Sequence, residues 1–424
     1  MSGQQELRII GEGDLERFVA ITAHAYPGKK LVTQADRDTF REQLATRGAD
    51  PAIHLYGLYR AGELLGGMIL YDFDMTLYET RAGVGGVGMV GVDALHKKEK
   101  VARDLVAAYL RHYREAGYAL AALYPFRPDF YAAMGFGYGT KINAYRVTPS
   151  SFRAGGDKGR VRFMTPDDRE RLVACYERYT EKTHGMFRLV ESTKRTFRAN
   201  PDYRVVGYER DGQIQGYISY QLHLPNPDES FVLQDLHIQQ WVYETPEALQ
   251  GLTAYLRSQA DQVRRVVFYT FDESFFYALS DPRNGSDHLL PPVNHESNAQ
   301  GVGLMYRIIN LRRLFTLLVE HDFGGETLTL GLNVRDTFVP EENGALTVRF
   351  EGGRARVVED GGVAPEVTVE IGVAALSSLL MGCVPFGALY YLDLAHISDT
   401  ARVEQVERLF RAPRKPVCLT PFYG

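Results

Sequence analysis

Residues 87–102 read VGMVGVDALHKKEKVA. The first six are small or apolar, as in a buried strand, and Asp93 closes them. Lys97, Lys98, Glu99 and Lys100 then form a charged turn, and from Val101 to Tyr113 apolar residues recur at helical spacing. Strand, basic turn and helix in this order set a helix N-terminus, with its unbonded N–H groups, beside three lysines. Such a place favours anions. Working outward, residues 54–59 and 64–73 predict two strands joined by Arg60-Ala61-Gly62-Glu63, where Gly62 can supply the left-handed backbone of a hairpin. Before them come a predicted strand at 7–10, a helix at 14–25 and a second helix after Thr33. On the other side, residues 118–124 predict a strand and 128–134 a short helix that Gly135 stops.

The hairpin recurs at an offset of 150 residues. Gly57, Arg60, Gly62 and Gly66 reappear as Gly207, Arg210, Gly212 and Gly216, with a predicted helix before the second copy (166–183) and a strand after it (233–242). Two related α/β domains are therefore expected, over residues 1–150 and 151–305. From about Arg307 the pattern changes to a short helix and alternating strands at 328–332, 346–350 and 355–358, with turns at Asn343-Gly344 and Gly352-Gly353. Helices at 374–381 and after Thr400 complete an expected third, α+β domain over 306–424.

Composition narrows the function classes. A length of 424 residues with 45% hydrophobic and 24% charged residues is that of a folded multidomain protein. A net charge of −5 gives no global field for holding phosphate backbones, so nucleic acid is not the expected partner. Three scattered cysteines, Cys175, Cys383 and Cys418, predict reduced thiols, and the opening MSGQQELRII has no secretory pattern. The apolar run at 373–384 falls short of a bilayer span. A cytoplasmic protein is expected. Neither metal-ligand spacing nor a GxSxG or HExxH motif is present, so no metal is expected.

The strand, the turn from Lys97 to Ala102 and the following helix resemble the cofactor motif of the GNAT acetyltransferase superfamily. The later run from Leu123 through Tyr131 to Gly135-Phe136 resembles that superfamily's closing segment. With the duplicated domain and the third α+β domain, nearly the whole chain resembles the Eis (enhanced intracellular survival) family. The resemblance implies two tandem GNAT-like domains, each a mixed sheet flanked by helices, the first active and the second degenerate, then a sterol-carrier-protein-like domain. It also implies an acetyl-CoA-dependent N-acetyltransferase that assembles as a homo-oligomer, a hexamer, and acts on an amine-bearing small molecule or a protein lysine. By the same resemblance Met89, Val90, Val92, Lys97, Lys98, Glu99, Lys100, Val101 and Ala102 would hold acetyl-CoA, and Tyr131 would be the general acid. The C-terminal carboxylate of Gly424 would be the base. The turn departs from the family pattern, because Lys100 stands where glycine is usual.

Other features are weighed beside these. Asp72, Asp74 and Glu79 sit at strand ends, where they could attract a cationic amine or simply be solvated. Gly83, Gly85 and Gly88 spell GxGxxG, yet they run into a strand and not into a helix, which argues against a dinucleotide loop. In the second domain Trp241-Val-Tyr-Glu-Thr-Pro246 replaces the basic turn, so no coenzyme is expected there, and His237 is expected to be a packed histidine. A rival reading is a non-catalytic carrier of an apolar ligand with a relict acetyltransferase domain.

Overall fold

The long hairpin anticipated around Gly62 organises the first sheet. In the computed structural model, which describes residues 5–197, 200–225, 233–340, 343–359 and 362–419, β1 (Gln5–Ile9), β2 (Ile53–Arg60), β3 (Glu63–Leu77) and β4 (Thr80–Val92) pair antiparallel in sequence order. β5 (Leu120–Leu123) then joins β4 in parallel. The sheet continues through Met305–Ile308, antiparallel to β5, and ends at β6 (Gly137–Tyr138). Insertion of Met305–Ile308, distant in sequence, has no local signal; its four residues are all buried, as suits a strand flanked on both edges.

Two compact units result. Described residues up to Gly139 together with Leu304–Arg414 form one, and those of Thr140–Gly303 with Lys415 onward form the other. In the first, α1 (Glu12–Ala25), α2 (Gln34–Gly48), α3 (Val101–Glu115) and the short α4 (Pro128–Ala132) cover the sheet. Thr33 caps α2 in a reciprocal box: its hydroxyl accepts from the Asp36 N–H at 3.1 Å, and the Asp36 carboxylate accepts from the Thr33 N–H at 2.9 Å. The crossover helix α3 buries Val101, Leu105, Val106, Tyr109, Leu110 and Tyr113, a stripe at helical spacing. Each fully buried Leu or Val of that stripe contributes about 1.5–3 kcal/mol.

The same unit carries a five-stranded sheet in the order Arg354–Val357, Gly344–Glu351, Leu328–Arg335, Val367–Gly372, Ala395–Ile397. Helices Leu311–Leu317, Val373–Leu380, Phe386–Tyr391 and Val403–Leu409 accompany it. The α+β expectation for the end of the chain is met.

In the second unit the sheet order is Asn298–Gly301, Ile142–Val147, Val263–Thr270, Gln234–Tyr243, Gln213–His223, Arg204–Arg210, Val161–Phe163. The repeated hairpin is built alike in both units: Ala61 and Gly62 take φ of +50° and +84°, Asp211 and Gly212 +52° and +74°. These are two-residue turns whose twist suits a hairpin. Residues 415–419 pack within this unit, where the Val417 N–H donates to the His184 carbonyl at 2.8 Å and Tyr176 donates to the Leu419 carbonyl at 3.1 Å.

Candidate active site

The centre of the first sheet opens along one strand. β4 and β5 pair only at Val84–Leu120, Gly85–Ala121 and Gly86–Ala122. Beyond Gly86 they share no pairing among the described residues, while β4 runs on to Val92. A bulge causes the divergence: pairing with β3 jumps from Ile69–Gly88 to Gly67–Gly91, and the extra residue Met89 has φ of +49°. Backbone groups of residues 87–92 therefore face a gap on the β5 side, and the Val90 carbonyl accepts the Tyr26 hydroxyl at 3.0 Å.

The charged turn follows at once. Asp93 is buried, accepts from the Leu95 N–H at 2.7 Å and is held by the Arg17 guanidinium at 2.5 Å, which fixes the exit from the strand. Glu99 turns to Arg60 at 2.7 Å and His96 at 3.3 Å; those hydrogen bonds hold its carboxyl below the usual range and so keep it charged. Lys98 and Lys100 both have left-handed backbones, φ +69° and +66°, and Lys100 is the residue from which α3 starts. Lysine here adopts the conformation that glycine takes without cost. The turn lines a cavity of about 570 Å³ with Val92, Lys97, Lys98, Lys100, Val101 and Ala102, closed on other sides by Phe130, Met134 and Phe338. Lysine ammonium groups and the first amides of α3 make it suited to an anion.

Tyr131 lies on α4, 3% exposed, with Phe126, Phe130 and Phe136 packed edge to face at 5.9, 5.3 and 5.9 Å. Burial pushes its phenol well above the ordinary value and the neighbouring Tyr26 adds to this; burial pushes Tyr26 itself up to about 12. Both remain hydroxyls at neutral pH. Such a phenol can donate a proton to an anion formed in the same dry place, because desolvation raises the proton affinity of that anion as well.

The structure thus gathers Val92, Lys97, Lys98, Lys100, Val101 and Ala102 around one cavity, puts Met89 and Val90 on the open strand edge and leaves Glu99 in an ion-pair cluster. Gly424 lies outside the described residues. Sequence reading missed Tyr26, Arg103, Phe130, Met134 and Phe338. Arg103 directly follows the motif and Met134 lies three residues from Tyr131, so spacing could have suggested them, whereas Tyr26 and Phe338 arrive by tertiary folding alone. The guanidinium of Arg103 stands 5.4 Å from the Phe338 ring centroid.

The remaining candidates have structural partners. Asp72 sits 3.0 Å from His54 Nε2 and accepts the Tyr113 hydroxyl at 3.0 Å, Asp74 is bound by Arg81, and Glu79 is 2.8 Å from His321. The GxGxxG glycines lie inside β4; a Cβ on Gly85 would stand 2.3 Å from the Tyr113 ring and one on Gly86 2.4 Å from Phe73. They make room for aromatic rings. In the second unit, parallel pairing of Gln234–Tyr243 with Val263–Thr270 stops at His237–Val267, and Trp241 beyond it packs on Phe152, Phe268 and Phe275 at 6.0, 5.6 and 5.0 Å. His237 lies beside His223, ring centroids 4.5 Å apart, and burial lowers its pKa. Among the described residues no group of three His, Cys, Asp or Glu could hold a metal ion, and no helix is long and apolar enough to cross a membrane.

Comparison with known proteins bears on both units. Acetyltransferase (GNAT) domain families match residues 6–139 and 179–308, and a sterol carrier protein domain matches residues 316–419. A curated Streptomyces avermitilis protein named as an uncharacterized N-acetyltransferase is 30% identical over 169 residues, 36% of this chain and 41% of the relative, so the match spans less than half of that relative's length. A GCN5-related N-acetyltransferase from Anabaena variabilis superposes with a TM-score of 0.79 at 14% identity, covering 98% of this chain and 99% of that one. Another from Kribbella flavida gives 0.77 at 18% (98% and 100%), and Eis1 from Mycobacterium abscessus 0.75 at 19% (98% and 100%). At these identities the solved structures are alike in fold.

Proposed function

We propose that this chain, which carries two acetyltransferase (GNAT) domains and a C-terminal sterol carrier protein domain and shares the fold of Eis1, moves an acetyl group from acetyl-CoA to a primary amine. The observation that carries the reading is the parting of β4 from β5 directly before the lysine turn. Acetyl-CoA supplies an acetyl thioester. The open edge at Met89, Val90 and Val92 offers backbone groups to its pantetheine arm, and the turn fits its pyrophosphate: amides of Val101 and Ala102 donate, while Lys97, Lys98 and Lys100 supply countercharge. Val101 is reached because Lys98 and Lys100 already hold the left-handed turns that a phosphate-facing backbone needs.

Transfer is direct in this proposal. The neutral amine adds to the thioester carbonyl, the C–S bond breaks, and Tyr131 gives its proton to the departing sulfur. Solvent then restores the phenol. The amine, with an ordinary pKa near 10.4, must lose a proton, and the carboxylate of Gly424 is proposed to receive it. Aminoglycoside, polyamine or lysine-type amines form the substrate class. We place the enzyme in the cytoplasm as a hexamer, as the resemblance of its sequence to the Eis family implies. The first GNAT domain, residues 1–150, is assigned the chemistry. The second, 151–305, is assigned none, since aromatic rings pack around Trp241 where a coenzyme would lie, and 306–424 forms the third domain.

A thiol-release assay over an amine panel tests the proposal with the wild type, Tyr131→Phe and a chain lacking its last four residues. Tyr131→Phe keeps the ring packing and is expected to lower kcat about 10²–10⁴-fold with little change in KM. The shortened chain is expected to lose turnover most steeply below pH 8. Full turnover by both variants would remove the assigned acid and base.

A further inference from the structure

The cavity at the lysine turn has one wall that neither the turn nor α4 supplies. Thr337 and Phe338 close it from the loop after the strand Leu328–Arg335, inside the stretch that a sterol carrier protein domain matches. A loop leaving a sheet edge is ordinarily loose, but this one is fixed. Asp336, 3% exposed, accepts from the N–H groups of Phe338 and Val339, both at 2.9 Å. Arg307 holds the same carboxylate at 2.5 Å and donates to the Met134 carbonyl. The half-buried ring of Phe338 is thus presented to the cavity by a backbone tied to the segment just past α4.

Charge around the cavity has one sign. Lys97, Lys98, Lys100 and Arg103 line it, no carboxylate does so among the described residues, and Glu99 is turned away toward Arg60. Arg103 is exposed and makes no ion pair among the described residues; its guanidinium rests over the Phe338 ring, 5.4 Å from the centroid. A cation on a half-exposed ring is weakly held. Arg103 follows Lys100 by three residues, so both lie on one face of the first turn of α3. The pyrophosphate of the proposed donor takes the turn, which leaves its adenine and its ribose phosphate without partners. The cavity, for its part, holds an aromatic ring and a guanidinium that the turn does not use.

We propose that Phe338 and Arg103 hold the nucleotide end of the acetyl donor. The guanidinium swings from the ring to the ribose phosphate, and adenine takes the face that it leaves. Resting on the acetyl-CoA reading, this assignment gives the C-terminal loop a task, the choice of a nucleotide-bearing donor over a truncated one. Bases stack on an aromatic face, and a guanidinium fork matches phosphate oxygens in plane. A side-chain change of that size is ordinary on binding. A thioester that ended at phosphopantetheine would leave both groups unused.

Calorimetric titration of the full-length protein with CoA, dephospho-CoA and phosphopantetheine is the test. The wild type is expected to bind CoA about tenfold more tightly than dephospho-CoA, as loss of a charge-assisted hydrogen bond dictates. Phe338→Ala should weaken CoA and dephospho-CoA alike by about tenfold, the worth of one stacked base, and leave phosphopantetheine unchanged. Phe338→Trp should restore both. Arg103→Ala replaces an exposed side chain, so its fold should persist by circular dichroism; it should weaken CoA about tenfold and leave dephospho-CoA unchanged. Equal loss for all three ligands in Phe338→Ala would make the ring purely structural and overturn the proposal, and so would unchanged CoA affinity in Arg103→Ala. If the wild type bound CoA and phosphopantetheine equally, the nucleotide platform alone would fall. If it bound none of the three, the acetyl-CoA reading would fall with it.

Discussion

Arg307 and Asp336 meet at 2.5 Å with side chains only 2% and 3% exposed, and the other arm of Arg307 donates to the Met134 carbonyl just past α4. Asp336 in turn accepts from the N–H groups of Phe338 and Val339, both at 2.9 Å. One buried ion pair thereby ties the strand Met305–Ile308, the segment bearing Tyr131 and the loop that supplies Phe338. Breaking such a pair from one side leaves a bare charge in the interior, at a cost of about 3–5 kcal/mol. Asp336→Asn is therefore expected to lower the unfolding free energy measured by urea titration by about 3–5 kcal/mol. Arg307→Met combined with Asp336→Leu should recover most of it, because desolvation of the pair offsets much of its attraction. A single change costing under about 1 kcal/mol would show that the pair does not hold these segments.

Lys100 separates backbone from charge at the turn. Its left-handed φ of +66° costs a non-glycine residue about 1–2 kcal/mol, while glycine carries about 0.5–1 kcal/mol of extra chain entropy. Lys100→Gly should leave stability unchanged or raise it by up to about 1.5 kcal/mol. Loss of the ammonium should weaken acetyl-CoA binding and flatten its dependence on salt. Lys100→Ala keeps the strained backbone and lacks the charge, so it should weaken binding with no gain in stability. If both variants bound acetyl-CoA as the wild type does, the lysine would have no part in anion recognition.

Gly85 distinguishes a packing role from a nucleotide-binding role for the glycine run. A methyl group there meets Tyr113 at 2.3 Å, and Tyr113 is fully buried with its hydroxyl committed to Asp72. Gly85→Ala should destabilise the protein by about 1–3 kcal/mol, as overpacking does. Gly83→Ala should cost less, since its nearest neighbour is the half-exposed Tyr118 ring at 3.0 Å. Differential scanning calorimetry of the two variants orders them; a larger loss at Gly83 would contradict the packing account.

What could be read from the letters was what local geometry dictates. Gly62 and Gly212 announced their hairpins because a two-residue turn needs left-handed backbone, Thr33 announced α2 because a hydroxyl can cap it, and the stripe from Val101 to Tyr113 announced α3. The lysine turn was legible for the same reason. Tyr26 and Phe338 were not, since one reaches Val90 across 64 residues and the other comes from more than two hundred residues after the turn, and no periodicity encodes such meetings. Met305–Ile308 shows the same limit: its apolar letters state burial but not which sheet receives it. The bulge at Met89 also escaped notice, because a methionine with positive φ is imposed by the hairpin around it.

The tyrosines forecast how stability responds to alkali. Burial raises the folded-state pKa of Tyr26 to about 12 and lifts Tyr78, Tyr109, Tyr113 and Tyr131 as well, against an ordinary value of 10.0. A folded pKa above the unfolded one means that the unfolded chain releases protons first as pH rises. The stabilising contribution of the neutral phenols is thus complete below pH 10 and is lost as pH climbs from 10 toward 12. Urea midpoints should accordingly fall steeply between pH 10 and 11.5. Phenolate absorbance should lag the ordinary titration of the chain's 26 tyrosines until unfolding releases the buried ones. A flat midpoint over that interval, or full phenolate absorbance near pH 10 with the fold intact, would mean that these hydroxyls are open to water, and a wet Tyr131 would lose the dry setting on which its proton transfer depends.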